Sequence, residues 1–538
     1  MMGEELYDLP EGWVWVKLGE VASFKNGINF KSSQKGQEGI LTIDVLNMYS
    51  KTTAIETKDL YRVNINVKDD YLLKYGDILF VRSSVKREGV GLASLFTPIK
   101  EDVTFCGFII RARLQSLDIL PKFTTYYLRT DSAREKIVAS SSQVTITNIN
   151  QDALGNILFT LPPLNEQHRI VTKIEELFAK LDAGVELLNK LKIKLKRYRQ
   201  AVLKAAVEGD LTKEWREAHQ GELEPASELL QRILKQRREK WETDELAKME
   251  AKGKTPKDDK WKQKYKEPVA PDTSDLPELP DGWCWAKLNE VASFKNGINF
   301  KSSQKGQLGI LTVDVLNMYS NRLAVDTKEL YRVDINIKED YLLEYGDILF
   351  VRSSVKREGV GWTSLFIPIS EKVTFCGFII RARLQNLDIS PKFITYYLRT
   401  DLARAKIVAS SSQVTITNIS QNALGNILLP IPTVNEQHYI VSKIDQAFTQ
   451  IDQLEKTIET NLKRSEKLRQ SILKQAFTGQ LVPQDPNDEP ASKLLERIKA
   501  EKAQREAQAK PKKKSRTSPK KTPKKASQPK QLELDLDN

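Results

Sequence analysis

The stretch IVTKIEELFAKLDAGVELLNKLKIKLKRYRQAVLKA, residues 170–205, decides how the rest of the chain is read. Ile170, Ile174, Leu177, Leu181, Gly184, Leu188, Leu191, Leu195, Tyr198, Val202 and Ala205 succeed one another at alternating steps of four and three. That spacing is the heptad seam of a coiled-coil helix, and Gly184 is its one non-apolar member. At about 1.5 Å per residue the run spans about 54 Å, long for one wall of a globular core. A second run with the same spacing starts 270 residues later, at Ile440, and ends near Gln475; its seam holds Ile444, Ala447, Ile451, Ile458 and Leu468. Each run follows a domain-sized segment, so the chain reads as domain, long helix, domain, long helix.

An internal repeat governs this order. Residues 10–160 align with 280–430 at a constant offset of 270, without a gap and with roughly 120 of 151 positions identical. The match continues more loosely through both helices to Leu211 and Leu481. A weaker echo, Glu-Pro-Ala-Ser-x-Leu-Leu, follows at Glu224–Leu230 and Glu489–Leu495. A period near 270 is too long for a solenoid and indicates tandem duplication of whole domains.

Each domain opens on a Pro-Glu/Asp-Gly-Trp turn (Pro10–Trp13, Pro280–Trp283). Short β-rich runs follow at 40–46, 77–82 and 104–113, and a helix is expected from Pro121. The fold class is α+β. The expected divisions are domains at 1–165 and 280–435 and long helices at 166–210 and 436–480. Between and after them come a charged helix and linker at 211–279, a second charged helix at 481–509 and a disordered basic tail at 510–538.

Composition narrows the class. No run approaches the eighteen or so apolar residues of a membrane span, and the acidic N-terminus does not resemble a secretory signal. Three cysteines (Cys106, Cys284, Cys376) give no disulfide framework, and a reducing, cytoplasmic setting is expected. Net charge is +13, but ten Lys or Arg and no acid lie between Lys510 and Lys530. The remaining body is therefore only mildly basic, and nucleic-acid binding must be argued from the domains.

The chain contains no GxxxxGK[ST] loop, no GxGxxG after a strand, no CxxC pair and no Asn-Pro-Pro-aromatic motif. Three histidines (His168, His219, His438) are too few for a metal site or a triad, and no enzyme activity is expected of this chain alone. Recognition chemistry is better represented. Asn26, Lys31, Ser33, Gln34 and Lys35 crowd one polar loop. Arg82, Ser84, Lys86 and Arg87 follow a strand end, and Gln143 and Thr145 lie in a Ser/Thr-rich piece. These residue types suit base edges and phosphates. They recur as Asn296, Lys301, Ser303, Gln304 and Lys305; Arg352, Ser354, Lys356 and Arg357; and Gln413 and Thr415. Each loop taken singly also reads as solvated surface, and a recent duplication preserves bland loops equally well.

The economical partner of each long helix is the other. With the two seams matched end to end, antiparallel pairing sets Gly184 against Asn461 and Tyr198 against Ala447. Parallel pairing would set Asn461 and Ser465 against an apolar wall. Antiparallel pairing is expected.

Leu-Pro-Glu-Gly-Trp near the start, Tyr-Gly-Asp-Ile-Leu-Phe-Val-Arg at 75–82, Pro-Pro-Leu-Asn-Glu-Gln-x-x-Ile at 162–170 and Ile-Pro-Thr-Val-Asn-Glu-Gln-x-x-Ile at 431–440 resemble the specificity subunit of type I restriction-modification enzymes. The resemblance covers nearly everything but the basic tail. It implies two target recognition domains, each reading half of a bipartite DNA sequence, held apart by antiparallel helices. It implies two docked methylation subunits and, in some assemblies, restriction subunits. S-adenosylmethionine, ATP and magnesium would belong to those partners, with no cofactor in this chain. Family members usually carry dissimilar domains, whereas these are near copies, so a palindromic interrupted target is expected. The copies differ at Lys51–Thr53 against Asn321–Leu323, and at Leu92, Ala93 and Thr97 against Trp362, Thr363 and Ile367. Two other readings stay open: a stand-alone two-headed DNA-binding protein without enzyme partners, and a coiled-coil scaffold with no affinity for DNA.

Overall fold

The computed structural model describes residues 7–509 apart from 51, 117, 144–145, 257, 321 and 414–415. The basic tail at 510–538, Thr145 and Thr415 lie outside them. Among the described residues no helix is long and apolar enough to cross a membrane.

The first domain is built around Ile78–Val81, whose four residues are all buried. The strand lies inside a four-stranded antiparallel sheet in the order Ala22–Asn26, Ile109–Leu114, Ile78–Val81, Ala93–Leu95. Side chains alternate across a strand, so Ile78 and Phe80 enter one core and Leu79 and Val81 another. Burial on both faces explains the unbroken apolar run. The second core is closed by another sheet, Lys35–Gly36, Tyr61–Val63, Ile40–Ile43 and Val103–Phe105, whose last pair is parallel. The run read as one strand at 104–113 is two, Val103–Phe105 and Ile109–Leu114, parted by a turn at 106–108. Helices Pro121–Leu128 and Asp131–Ala139 cover the first sheet. The second domain repeats this plan strand for strand.

Both long helices are continuous, Leu164–Val207 and Val434–Phe477. The Asn-Glu-Gln at each helix start is a clamp. Trp13 Nε1 donates to Glu166 Oε2 at 2.9 Å, and Trp283 Nε1 to Glu436 Oε2 at 2.7 Å. Gln167 accepts from Leu120 N and donates to Pro162 O, while Gln437 accepts from Ser390 N and donates to Pro432 O. The two stretches that open and close each domain in sequence thus touch through hydrogen bonds between buried groups.

The chain divides into two compact units that do not follow its linear order: residues 1–185 with 463–538, and residues 186–462. In the first unit the core takes Ile170, Ile174 and Phe178 from the first long helix. It also takes Ile472, Leu473, Ala476 and Phe477 from the second, and Ala491, Leu494 and Ile498 from the helix Ala491–Ala509. In the second unit Ile440, Val441 and Ile444 meet Val202, Leu203, Ala206 and Val207. Ala226, Leu229 and Ile233 of the helix Ala226–Glu250 join them. The Glu-Pro-Ala-Ser echo is the fastening: Ala226 N donates to Gly282 O and Ala491 N to Gly12 O, each at 2.8 Å. Each unit is therefore completed by the end of the other repeat. Burial of a Leu or Ile side chain contributes about 2 kcal/mol.

Within each unit the helices run antiparallel, as expected. In the second unit Lys192 pairs with Glu459 and Arg199 with Asp452. In the first, Arg469 pairs with Asp182, and eight residues on Phe477 O accepts from Tyr7 and Thr160, which precede the first helix.

The seam itself differs from the expectation. Ile174, Leu181, Leu188, Leu195, Ile444, Ala447, Ile451 and Ile458 are buried or half-buried. Beyond Leu181 the residues read between them on the first helix are not: Gly184 and Leu191 are exposed, and Tyr198 is 56% exposed, whereas Leu177 is half-buried. Leu468, the repeat copy of Tyr198, is likewise exposed. The places of Gly184 and Tyr198 are taken one residue on, by Val185 and Arg199, whereas Lys192 beside Leu191 is exposed as well. Successive helix positions stand about 100° apart, and apolar residues at Leu187, Leu191 and Ile193 widen the stripe, so steps of four and three fit two neighbouring seams. The register also shifts. Arg199, not Tyr198, meets the second helix, lying over Phe448, two residues past the end-matched position, and reaching on to Asp452.

Candidate nucleic-acid interface

Three small strands gather two of the candidate stretches. Ser83–Ser84 pairs with Thr147–Asn148, which pairs with Ser142–Gln143. The turn at 106–108 joins them, because Arg82 N donates to Phe108 O at 2.8 Å and the Arg82 guanidinium to Gly107 O at 3.2 Å. The polar loop that begins at Asn26 enters beside the same turn. Gly27 N donates to Ile109 O and Ile28 N to Phe105 O. Only glycine fits at Gly27: a Cβ there would stand 2.1 Å from Cys106 O. The sheet edges of each domain thus bring all three stretches to one place.

Not every candidate side chain is left open there. Ser84 is buried with its hydroxyl 3.4 Å from Tyr49 Oη, and Gln34 Oε1 accepts from Lys31 N at 2.8 Å. Lys35 Nζ stands 3.5 Å over the Tyr61 ring, and Tyr61 donates to Asp44. Lys31, Ser33, Lys86 and Arg87 are exposed, and Asn26 is half-buried. The copies Lys301, Ser303, Lys356 and Arg357 are exposed too; Gln304 repeats the bond of Gln34, Lys305 stacks on Tyr331 and Ser354 adjoins Tyr319. Arg352 repeats the bond of Arg82, and Asn296 is exposed.

Sequence reasoning missed the centre of this surface. Asp44, Leu46, Tyr49, Val85, Lys86, Phe108 and Ile146 line one hollow, and the counterparts of all but Leu46 line another in the second domain. Leu46 is 83% exposed, Val85 86%, Phe108 61% and Ile146 46%. An exposed apolar cluster in a water-facing chain marks an interaction site. The one available signal was Val85, an apolar residue amid Ser-Ser-x-Lys-Arg. Of the positions at which the copies differ, Leu92 and Trp362 line the hollows, Ala93 and Thr363 are buried, and Thr97 and Ile367 are exposed.

Two arginines brace the loops from behind. Arg129 donates to Ala93 O, Ser50 O and Ser94 Oγ, and Arg134 to Glu88 O and Val90 O. Burial pushes both guanidiniums down to about 10, which leaves them cationic at neutral pH. Their partners are carbonyls and a hydroxyl, so the positive charge is little neutralised. Arg399 and Arg404 do the same in the second domain. The thiols of Cys106 and Cys376 are pushed up to about 12, first by burial and then by Asp44 and Asp314, so neither is a nucleophile at neutral pH.

Loop-borne residues on a rigid scaffold, with an apolar hollow beside exposed Lys and Arg side chains, define a recognition module present twice. The comparisons specify which kind. The model of the type I restriction modification DNA specificity domain matches residues 10–197 and again 280–464, and the chain belongs to that family. It is 27% identical over 518 residues to the type I restriction enzyme EcoKI specificity subunit of Escherichia coli (strain K12), covering 92% of this chain and 96% of that protein. It is 26% identical over 518 residues to the StySPI specificity subunit of Salmonella potsdam, with the same coverage. A solved chain from a study of complex assembly and conformational transition of the type I R-M system shares the fold. Its TM-score is 0.59 and its identity 19%, covering 88% of this chain and 100% of that one.

Proposed function

We propose that the chain is the DNA-reading subunit of a type I restriction-modification assembly, and that it reads a palindromic interrupted target. The observation that carries the palindrome is the near identity of the two domains, each bearing the same loops. In this reading the two equal readers address the same half-site on opposite strands. In this reading the exposed Lys86, Arg87 and Lys31 neutralise phosphates and the loop tips meet base edges.

Partner subunits supply the chemistry in this reading: two copies of a methyltransferase with S-adenosylmethionine, and restriction subunits with ATP and magnesium where present. The open stripe Leu187, Leu191 and Tyr198 on the first long helix supports their docking there. Sequencing methyladenine in DNA exposed to the assembly tests the target. A few specified base pairs, a spacer and their inverted complement are expected, and an asymmetric motif overturns the palindrome. Purification without any methyltransferase partner would favour a stand-alone DNA-binding protein instead.

A further inference from the structure

We propose that the apolar hollow of each domain is its base-reading pocket and that it takes the 5-methyl edge of thymine in the major groove. This rests on the DNA-reading function proposed above and names the surface and the chemical group it recognises.

Leu46, Val85, Phe108 and Ile146 come from four segments separated in sequence, and each is exposed although large and apolar. Main-chain bonds fix them. Val85 and Ile146 adjoin paired strands (Ser84 opposite Thr147), and Phe108 is tied to Arg82. A preformed hollow loses little conformational freedom on binding. Val355, Phe378 and Ile416 form the same lips in the second domain.

Charge selects the occupant. Lys86 lines the hollow and Arg87 follows it, both exposed, with the buried Arg134 charge behind. The acids there are Asp44 and Glu88. Asp44 accepts from Val45 N and Tyr61 Oη, which occupies both its oxygens. An apolar centre beside Lys86 and Arg87, with Glu88 the one acid left open there, complements a duplex groove, where thymine methyls lie between two rows of phosphates. The two hollows share the valine, phenylalanine and isoleucine lips and differ at Leu92 against Trp362 and in Leu46, whose copy Leu316 does not line the second hollow.

The test uses the full chain, with whatever subunits co-purify, and randomised duplex pools. One pool contains thymine and the other deoxyuridine throughout. Uracil pairs as thymine does but lacks the methyl group. The wild-type chain should bind selected thymine duplexes tighter than their deoxyuridine copies, by about fourfold for each methyl contacted. Val85→Ser with Val355→Ser, at positions where solvent already reaches the side chain, should abolish that difference and retain the salt dependence. Equal binding of both pools by the wild-type chain would overturn the pocket and leave the DNA-reading function standing. So would variants that keep the thymine preference, or that lose a co-purifying subunit and not the preference. Failure of the wild-type chain to bind either pool would overturn the function itself.

Discussion

Arg199 lies over the ring of Phe448, 4.4 Å from its centroid, and reaches on to Asp452. Arg469 lies over Phe178 at 4.2 Å and reaches Asp182. The second set is the first with the repeat copies exchanged, each residue shifted by 270. Both arginines are largely covered and both aspartates are exposed, so the ring contact outweighs the screened ion pair. Arg199→Ala should cost about 1–2 kcal/mol, read as a lowered melting temperature, and Asp452→Asn less than about 1 kcal/mol. Equal losses would show that the ion pair, not the stacking, holds the helices.

The Glu166 carboxylate should make the stability of its clamp depend on pH. Burial, opposed by the Trp13 bond and Arg169, holds the Glu166 carboxyl above the usual range. Ionising it therefore opposes folding. Its stabilising contribution is complete below the ordinary carboxylate range and is lost as pH rises through its own raised value. Glu166→Gln should raise the melting temperature near pH 8 relative to wild type and change it little near pH 4. A destabilised variant at both values would contradict this.

Glu436 has Thr212 Oγ1 at 2.6 Å and the Arg216 guanidinium at 3.6 Å as well as Trp283. Glu436→Gln should accordingly destabilise, by about 1–3 kcal/mol. Thermal denaturation of both variants at neutral pH, showing opposite signs, would check the contrast between the repeat copies.

Gly27→Ala drives a methyl into Cys106 O and should cost more than about 2 kcal/mol, with Gly297→Ala alike beside Cys376 O. Gly36 lies in the same loop with nothing within 4 Å of its added Cβ, so Gly36→Ala should stay within about 0.5 kcal/mol. Urea denaturation of the three variants measures the difference.

Leu191→Glu with Tyr198→Glu places charge on the open stripe without entering the seam toward the second helix. DNA affinity should persist while co-purification of methyltransferase subunits falls at least tenfold. Undiminished co-purification would remove the stripe as their docking surface.

The sequence alone disclosed the duplication, the helix direction and the three polar stretches, because each is a matter of spacing or identity along the chain. It did not disclose which of two adjacent seams closes the helix pair, since Leu191 and Tyr198 are as apolar as Val185. Phe108 was hidden for another reason. It lies within Thr-Phe-Cys-Gly-Phe-Ile-Ile, which reads as one buried strand, and only the turn at 106–108 turns its ring outward. The polar loops were found because their residue types are conspicuous; the apolar centre between them is conspicuous only in three dimensions.

The interleaving of the repeats bears on how the chain is made. The unit formed by residues 186–462 is continuous and has its whole core once residue 462 has been synthesised. The other unit begins earlier and finishes later, since Phe178 must wait for Leu473, about 300 residues on, and then for Ile498. At about 5–20 residues per second that interval is about 15–60 s. The domain translated first is thus the last to close.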